Sequence, residues 1–227
     1  MGEKIILLGD IHGNYIAFKD LVAALAPLKP MAWYLLGDAL GYFPDGRRVL
    51  NLLRRIGGRA IMGNHEDMLL KKSWGEKDCL YRLAAQRGRL SRADLEWISA
   101  WPCRRLLELP AGTAFLAHGS PVDHLRGYIY PDSDLAAFRR TGYRYVFCAH
   151  THRPFRASSD GTDFYNVGSV GLPRDGSGHS SCLIWDRSSE SGEHFFSPLN
   201  MTEIVNEYSR KTHPDVIARL EDGCRNQ

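Results

Sequence analysis

Long apolar runs are missing from this chain: no stretch approaches the roughly 20 residues of a membrane-spanning helix, so no membrane association is expected. Its five cysteines, Cys79, Cys103, Cys148, Cys182 and Cys224, are odd in number and contain no Cys-x-x-Cys pair. A disulfide framework or a zinc ribbon is therefore not the organising device, and a reducing cytoplasm is the expected compartment. No charge of one sign dominates, the net charge being +3 with a pI near 8.6. The basic residues come as doublets (Arg54-Arg55, Arg104-Arg105, Arg139-Arg140), expected on solvated helix faces, so there is no strong nucleic-acid signal. Internal repeats and low-complexity tracts are absent. No long apolar stretch precedes Asp10, so a signal peptide is not expected. Met1-Gly2 does not open a myristoylation signal, because Ile6 stands where Ser or Thr is needed.

What is present is an ordinary globular composition, 44% hydrophobic over 227 residues, enough for one sizeable core. The first half alternates strand and helix. Ile5 to Leu8 reads as a buried strand, 14–26 as a helix stopped by Pro27 and Pro30, and 32–36 as a second strand. A helix around Val49 to Ile56 leads to a third strand at 59–62. Residues 67–102 are helical in pattern, with a capping box at Ser91 and Asp94. Residues 104–109 and 113–117 read as a hairpin, followed by a helix near 132–140 and a strand at 145–148. Short strands follow near 155–157, 164–167, 182–185 and 194–197, then helices at 203–209 and 214–223. The βαβ units make the first strands parallel neighbours. The expected organisation is a domain over 1–200 carrying a helical insertion at about 67–102, and a helical extension at 201–227 packed on the same domain.

The chemistry recurs at strand ends. Gly9-Asp10-Ile11-His12-Gly13-Asn14 follows the first strand, Gly37-Asp38 the second, and Gly63-Asn64-His65-Glu66 the third. His118-Gly119 and His150-Thr151-His152 follow two later strands. Open α/β sheets gather ligands at this carboxyl edge. Asp10, His12, Asp38, Asn64, His118, His150 and His152 are seven metal-ligand residues, more than one tetrahedral zinc requires. They suit two cations, with Asp38 as the bridge, since a carboxylate offers one oxygen to each. Two divalent ions set against two carboxylates and a bridging hydroxide leave net positive charge, which attracts a phosphate ester. They also acidify bound water.

These blocks, in this order over residues 9–152, resemble those of the calcineurin-like metallophosphoesterase superfamily. The loop Asn166 to Gly176 is similar to that of its small bacterial and archaeal phosphodiesterase branch. The resemblance implies an α/β fold, a four-layer αββα sandwich of two mixed β-sheets flanked by helices. It implies two divalent metal ions, one held by Asp10, His12, Asp38 and His152, the other by Asp38, Asn64, His118 and His150. Manganese ranks first, with iron, zinc, cobalt, nickel and magnesium as alternatives. His65 matches the family's catalytic histidine, which stabilises the transition state or protonates the leaving group. With Asp38 it makes the catalytic pair.

The implied function is hydrolysis of a small or nucleotide-derived phosphodiester by attack of a metal-bridging hydroxide. The alternatives are a phosphomonoesterase, including a phosphoprotein phosphatase, and a non-catalytic scaffold like the retromer subunit of the superfamily. The scaffold predicts lost ligands, and this chain keeps them all. Two departures stand out. Gly41 to Gly46 replaces the Asp-Arg-Gly usual in protein phosphatases and dinucleoside tetraphosphatases, and Ala149 replaces the glycine usual before the final His-x-His. Arg153 and Arg174 are candidate substrate contacts, Arg174 having a local pair with Asp175 as its alternative. Tyr42 and Phe43 either stack on a base or pack under the helical insertion. The residues 67–102 are expected at the mouth of the site and His65 beside the second metal. A small phosphoester is the expected partner, and a homo-oligomer stays open.

Overall fold

A computed structural model describes residues 3–225, without the side chains of 139–141 and 223–225. The first sheet has the order β10-β9-β1-β2-β3. Its strands are β1 (Lys4–Leu8), β2 (Ala32–Leu36), β3 (Arg59–Ile61), β9 (His179–Asp186) and β10 (Ser191–Pro198). The second has the order β4-β5-β6-β8-β7. It contains β4 (Arg104–Leu109), β5 (Gly112–Ala117), β6 (Tyr145–Cys148), β7 (Phe155–Ser159) and β8 (Thr162–Asn166). Both sheets are mixed. β1, β2 and β3 run parallel in one and β5, β6 and β8 in the other, with antiparallel strands at the edges.

Alternation along β1 explains the layering. Ile5 and Leu7 face the second sheet, in a core with Tyr34, Leu36, Leu116, Phe147, Tyr165 and Trp185. Ile6 and Leu8 face the other way, toward Phe18, Leu21, Leu53, Ile204 and Val216. A strand covered on both faces reads as one continuous apolar run. The helices on that outer face are α1 (Tyr15–Leu25), α2 (Gly46–Arg55), α7 (Met201–Tyr208) and α8 (Pro214–Arg225). Tyr208 also donates a 2.9 Å hydrogen bond to Asp45. The outer face of the second sheet is covered by Leu135 and Phe138. They lie on a 3-10 helix, Leu135–Thr141, which starts later than the helix expected near 132–140. Its late start follows from Asp134, whose carboxylate accepts from the amide of Ala136, and Gly142 ends it in a left-handed turn.

The helical stretch is broken, not continuous. It runs through α3 (Asn64–Lys71), α4 (Asp78–Tyr81), α5 (Leu83–Arg87) and α6 (Arg92–Ser99), with left-handed residues at Lys72 and Arg82 between them. α3 starts before residue 67 because Glu66 accepts the amide of Gly63. The Ser91–Asp94 capping box forms as the pattern predicts. Arg54-Arg55 ends α2, whereas Arg104-Arg105 lies on a strand, not a helix. The side chains of Arg139 and Arg140, that of Cys224, and the Met1-Gly2 pair lie outside the described parts. Cys79, Cys103, Cys148 and Cys182 are free thiols. Among the described residues no helix is long and apolar enough to cross a membrane.

Candidate metal centre

The parallel strands place their carboxyl ends side by side, and the pairing continues into the loops. The amide of Asp10 donates to Gly37 O (3.2 Å), that of His12 to Asp38 O (2.9 Å) and that of Ala149 to His118 O (3.0 Å). Asp10, His12, Asp38, His150 and His152 all have positive φ. Such backbone costs about 1–3 kcal/mol per residue and persists only where its surroundings over-determine it. Here they do. Ser169 donates to Asp10 O (2.8 Å), and Asn166 donates to Ala149 O (2.7 Å) and Thr151 Oγ1 (3.0 Å). Glu66, fully buried, accepts from the amides of Asp38 (2.8 Å), Leu40 (3.1 Å) and Gly63 (3.0 Å).

These turns aim the side chains at one region. Three sets have donor atoms within 4.8 Å of one another: Asp10 with His12 and His152, His12 with Asp38 and His65, and Asp38 with His118 and His150. Asn64 Oδ1 lies 2.9 Å from His118 Nε2 and joins the last set. All seven residues singled out in the sequence therefore meet, and Asp38 lies between the two outer sets. Its Oδ2 is 3.8 Å from His12 Nε2 and 3.4 Å from His118 Nε2. The close approach needs Gly63, where a Cβ would fall 2.1 Å from Asp38 Oδ1.

The donor set fits cations. His12 Nδ1 faces the carbonyl of Leu40 (3.1 Å) and His152 Nδ1 that of Leu172 (2.5 Å). A carbonyl only accepts, so each Nδ1 donates and each Nε2 keeps its lone pair. Those two Nε2 atoms face each other at 3.1 Å. Burial, joined by His65 for His12 and by Arg174 for His152, holds both rings well below the ordinary imidazole range. A proton is thus poorly placed to join them. Asp10 Oδ1, 3.6 Å and 3.4 Å from these nitrogens, is buried with no hydrogen-bond donor. Burial pushes Asp10 up to about 8. In the other set, burial would raise Asp38 and lower His118, but each outweighs that for its partner. Asp38 is held well below the carboxylate range and His118 is raised to about 9. A cation fits both sets, since Asp10 Oδ1 in the first and His150 Nε2 in the second are buried without a hydrogen-bond partner among residue types that ligate metals.

His65 stands where its ring meets His12 (4.7 Å between centroids), Tyr42 (5.1 Å) and Tyr81 (4.7 Å). It is thus packed against His12 of the first set, and its Nε2 also lies 3.9 Å from Asp38 Oδ2 of the second. Its side chain leaves the first turn of α3 toward Gly41, where a Cβ would meet His65 Nδ1 at 2.1 Å. Gly41 has φ +102°, so only glycine fits there without strain. Burial lowers His65 to about 4.

A cleft of about 230 Å³ opens over these residues, lined by Asp38, His65, His150 and His152, with Tyr42, Tyr81, Tyr128, Arg174 and Arg219 around them. The helical stretch does border the mouth, through Leu80 and Tyr81. Arg174 faces the cleft and donates to Tyr42 Oη (3.3 Å), while Asp175 accepts from Ser177 instead. Arg153 is exposed and does not line the cleft, because the turn that aims His152 inward leaves the next side chain outside. Tyr42 lines the cleft, whereas Phe43 is buried against Tyr208. Ala149 is accommodated by Gly9, where a Cβ would approach Ala149 Cβ to 2.8 Å. His194 is half-buried and donates from Nε2 to Asn166 O, away from the cleft.

Sequence reasoning missed Glu66, Tyr81, Tyr128 and Arg219. Glu66 lay inside a motif already singled out, and its position three residues after Gly63 was the available signal. The others are isolated residues with no local signal.

The family model described as calcineurin-like phosphoesterase matches residues 3–154. A metallophosphoesterase crystal structure from Sphaerobacter thermophilus superposes with a TM-score of 0.83 at 20% identity, covering 98% of this chain and 100% of that one. This likeness shows the fold. MJ0912 of Methanocaldococcus jannaschii, an uncharacterized protein, is 23% identical over 203 residues, 81% of this chain and 83% of that one. A symmetrical bis(5'-nucleosyl)-tetraphosphatase of Edwardsiella ictaluri is 36% identical over only 69 residues, 29% of this chain and 24% of that one.

Proposed function

The chain belongs to the calcineurin-like phosphoesterase family, and from that premise and the site we propose that it is a two-metal phosphodiesterase acting on a small, water-soluble substrate. The observation that carries this is the pair of buried ligand sets, Asp10 with His12 and His152 and Asp38 with His118 and His150, joined where Asp38 approaches His12 and each holding a ligand atom without a partner, Asp10 Oδ1 and His150 Nε2. Two divalent ions bound there supply acidified water and positive charge for the phosphoryl oxygens. Asp10, His12, Asp38 and His152 would hold one, and Asp38, Asn64, His118 and His150 the other, with manganese the first to test.

The chain's own residues do the rest. Arg174 faces the cleft without a carboxylate partner among the described residues, and its planar fork suits phosphoryl oxygens. His65, kept neutral by burial, offers an N–H to the leaving oxygen rather than a full proton. Tyr42, Tyr81 and Tyr128 shape the cleft for an organic ester arm on each side of phosphorus, which favours a diester over a monoester.

The test compares bis(p-nitrophenyl) phosphate with p-nitrophenyl phosphate, before and after chelation and with added manganese, metal content being measured on each sample. Faster diester hydrolysis is expected, lost on chelation and restored by metal. Full activity in a metal-free preparation overturns the reading, and faster monoester hydrolysis turns it to a phosphatase.

A further inference from the structure

Two arginines line the cleft, and they come from different parts of the chain. Arg174 follows the Asn166 to Pro173 loop at the floor. Arg219 belongs to α8, on the far side of the first sheet's helical layer in sequence yet reaching the same opening. Neither has a carboxylate ion-pair partner among the described residues, although most arginines facing acidic neighbours here are paired, Arg48 with Asp45, Arg54 with Asp94 and Arg126 with Asp67. Arg174 Nε is moreover buried with no acceptor.

The two differ in depth. Arg174 is half-buried and acts electrostatically on Asp10, His12, His65, His150 and His152, so its charge sits at the reacting end. Arg219 is exposed, so its charge sits at the rim. A charge at the rim is placed to meet a second anionic group while Arg174 meets the one at the ligand sets. Beside Arg219 the lining of the cleft includes Leu80, Tyr81 and Tyr128, none of them acidic.

We propose that Arg219 is a specificity residue for a second phosphate, so that the preferred substrate is a small phosphodiester carrying another phosphate group on its organic arm. This rests on the phosphodiesterase reading above. Arg174 then contacts the scissile group, Arg219 the remote one, and α8 completes the pocket. An exposed guanidinium is freely hydrated, so the contact acts on binding and not on the chemical step.

The p-nitrophenyl ester of thymidine 5′-phosphate, with and without a 3′-phosphate, isolates this contact, because reacting centre and leaving group are identical. The metal-loaded protein is expected to favour the 3′-phosphorylated ester in kcat/KM by about tenfold or more, the scale of one charge-assisted hydrogen bond. Arg219→Gln should bring that ratio close to one through KM, and Arg219→Lys should restore part of it. Calorimetric titration with thymidine bisphosphate and with thymidine 5′-phosphate should show the same ratio of affinities without turnover, and the same loss in the Gln variant. Unchanged thermal melting confirms that the variants fold. A wild-type ratio near one in both assays, or a ratio that Arg219→Gln leaves intact, overturns the assignment while leaving the phosphodiesterase reading in place. Hydrolysis of neither ester overturns that reading and this one with it.

Discussion

The Asp10, His12 and His152 set and the Asp38, His118 and His150 set contain similar residues held by different means. In the first, both imidazoles are locked by Nδ1–H bonds to main-chain carbonyls, those of Leu40 and Leu172. Both carbonyls are in turn pinned, since Glu66 takes the Leu40 amide and Ser169 the Leu172 amide. In the second, His118 is locked in the same way to Leu36 O (2.8 Å). His150 is not. Its Nδ1 points inward, 2.9 Å from His118 Nε2, and its Nε2 is buried without a partner. What steadies the ring is Tyr128, stacked at 4.3 Å and itself 53% exposed. One half of the site is therefore fixed by buried backbone and the other leans on a surface side chain. Outer contacts of this kind set ligand orientation and basicity, so the two halves should differ in metal retention.

Asp38→Asn should erase the difference, because the residue lies between both sets. We expect activity to fall by about 10³-fold or more, as for the loss of several kcal/mol of metal-dependent stabilisation, with metal content reduced in both halves. Elemental analysis with steady-state assays checks this, and a variant that retains full stoichiometry would show that Asp38 is no bridge.

His65→Ala should keep both metals and lose about 10²–10⁴-fold in rate. A neutral imidazole stabilising the leaving oxygen predicts similar losses on a nitrophenyl and an alkyl ester. A much larger loss on the alkyl ester would mean that His65 delivers a proton, and a lost metal would make it a ligand alongside His12 and Asp38.

Glu66→Gln sharpens the comparison from the locked side. An amide can accept with only one of its two heads, so at least one buried N–H loses its acceptor, at about 1–3 kcal/mol. The melting temperature should fall, and metal affinity should weaken by about 10–100-fold, since the Asp38 and Leu40 turns loosen together. Unchanged melting would mean that the three amides find other partners.

Tyr128→Ala is the smallest change. Removing one stacking contact of about 0.5–1.5 kcal/mol should weaken only the more weakly held metal, by about two- to tenfold. Stepwise chelation followed by titration of the released metal resolves one ion from two. Equal weakening of both sites would show that the halves are not held differently.

The contrast also shows which parts of the site could be read early. Asp10, His12, Asp38, Asn64, His118, His150 and His152 were legible because each follows an apolar strand directly, and parallel strands bring their ends together whatever the rest of the chain does. Ile5 to Leu8 announced burial on two faces for the same reason, and the two mixed sheets were implied by the family resemblance of the strand-end blocks. The exclusion of Arg153 and the inclusion of Tyr81, Tyr128 and Arg219 were not legible. They depend on where left-handed turns at Arg82 and His152 send the chain, and on how α8 settles on the outer layer.

By itself, then, the sequence determined the strand-end chemistry, the two-carboxylate charge balance and the parallel neighbours of the first strands, since hydrophobic pattern and residue type act over a few positions. Only the tertiary structure decided which nitrogens keep their lone pairs, that Glu66 buttresses Asp38, and that a C-terminal helix brings an arginine to the mouth. Those outcomes rest on contacts between residues far apart in the chain, such as Glu66 with Asp38 and His152 with His12, whose geometry exists only once both sheets have packed.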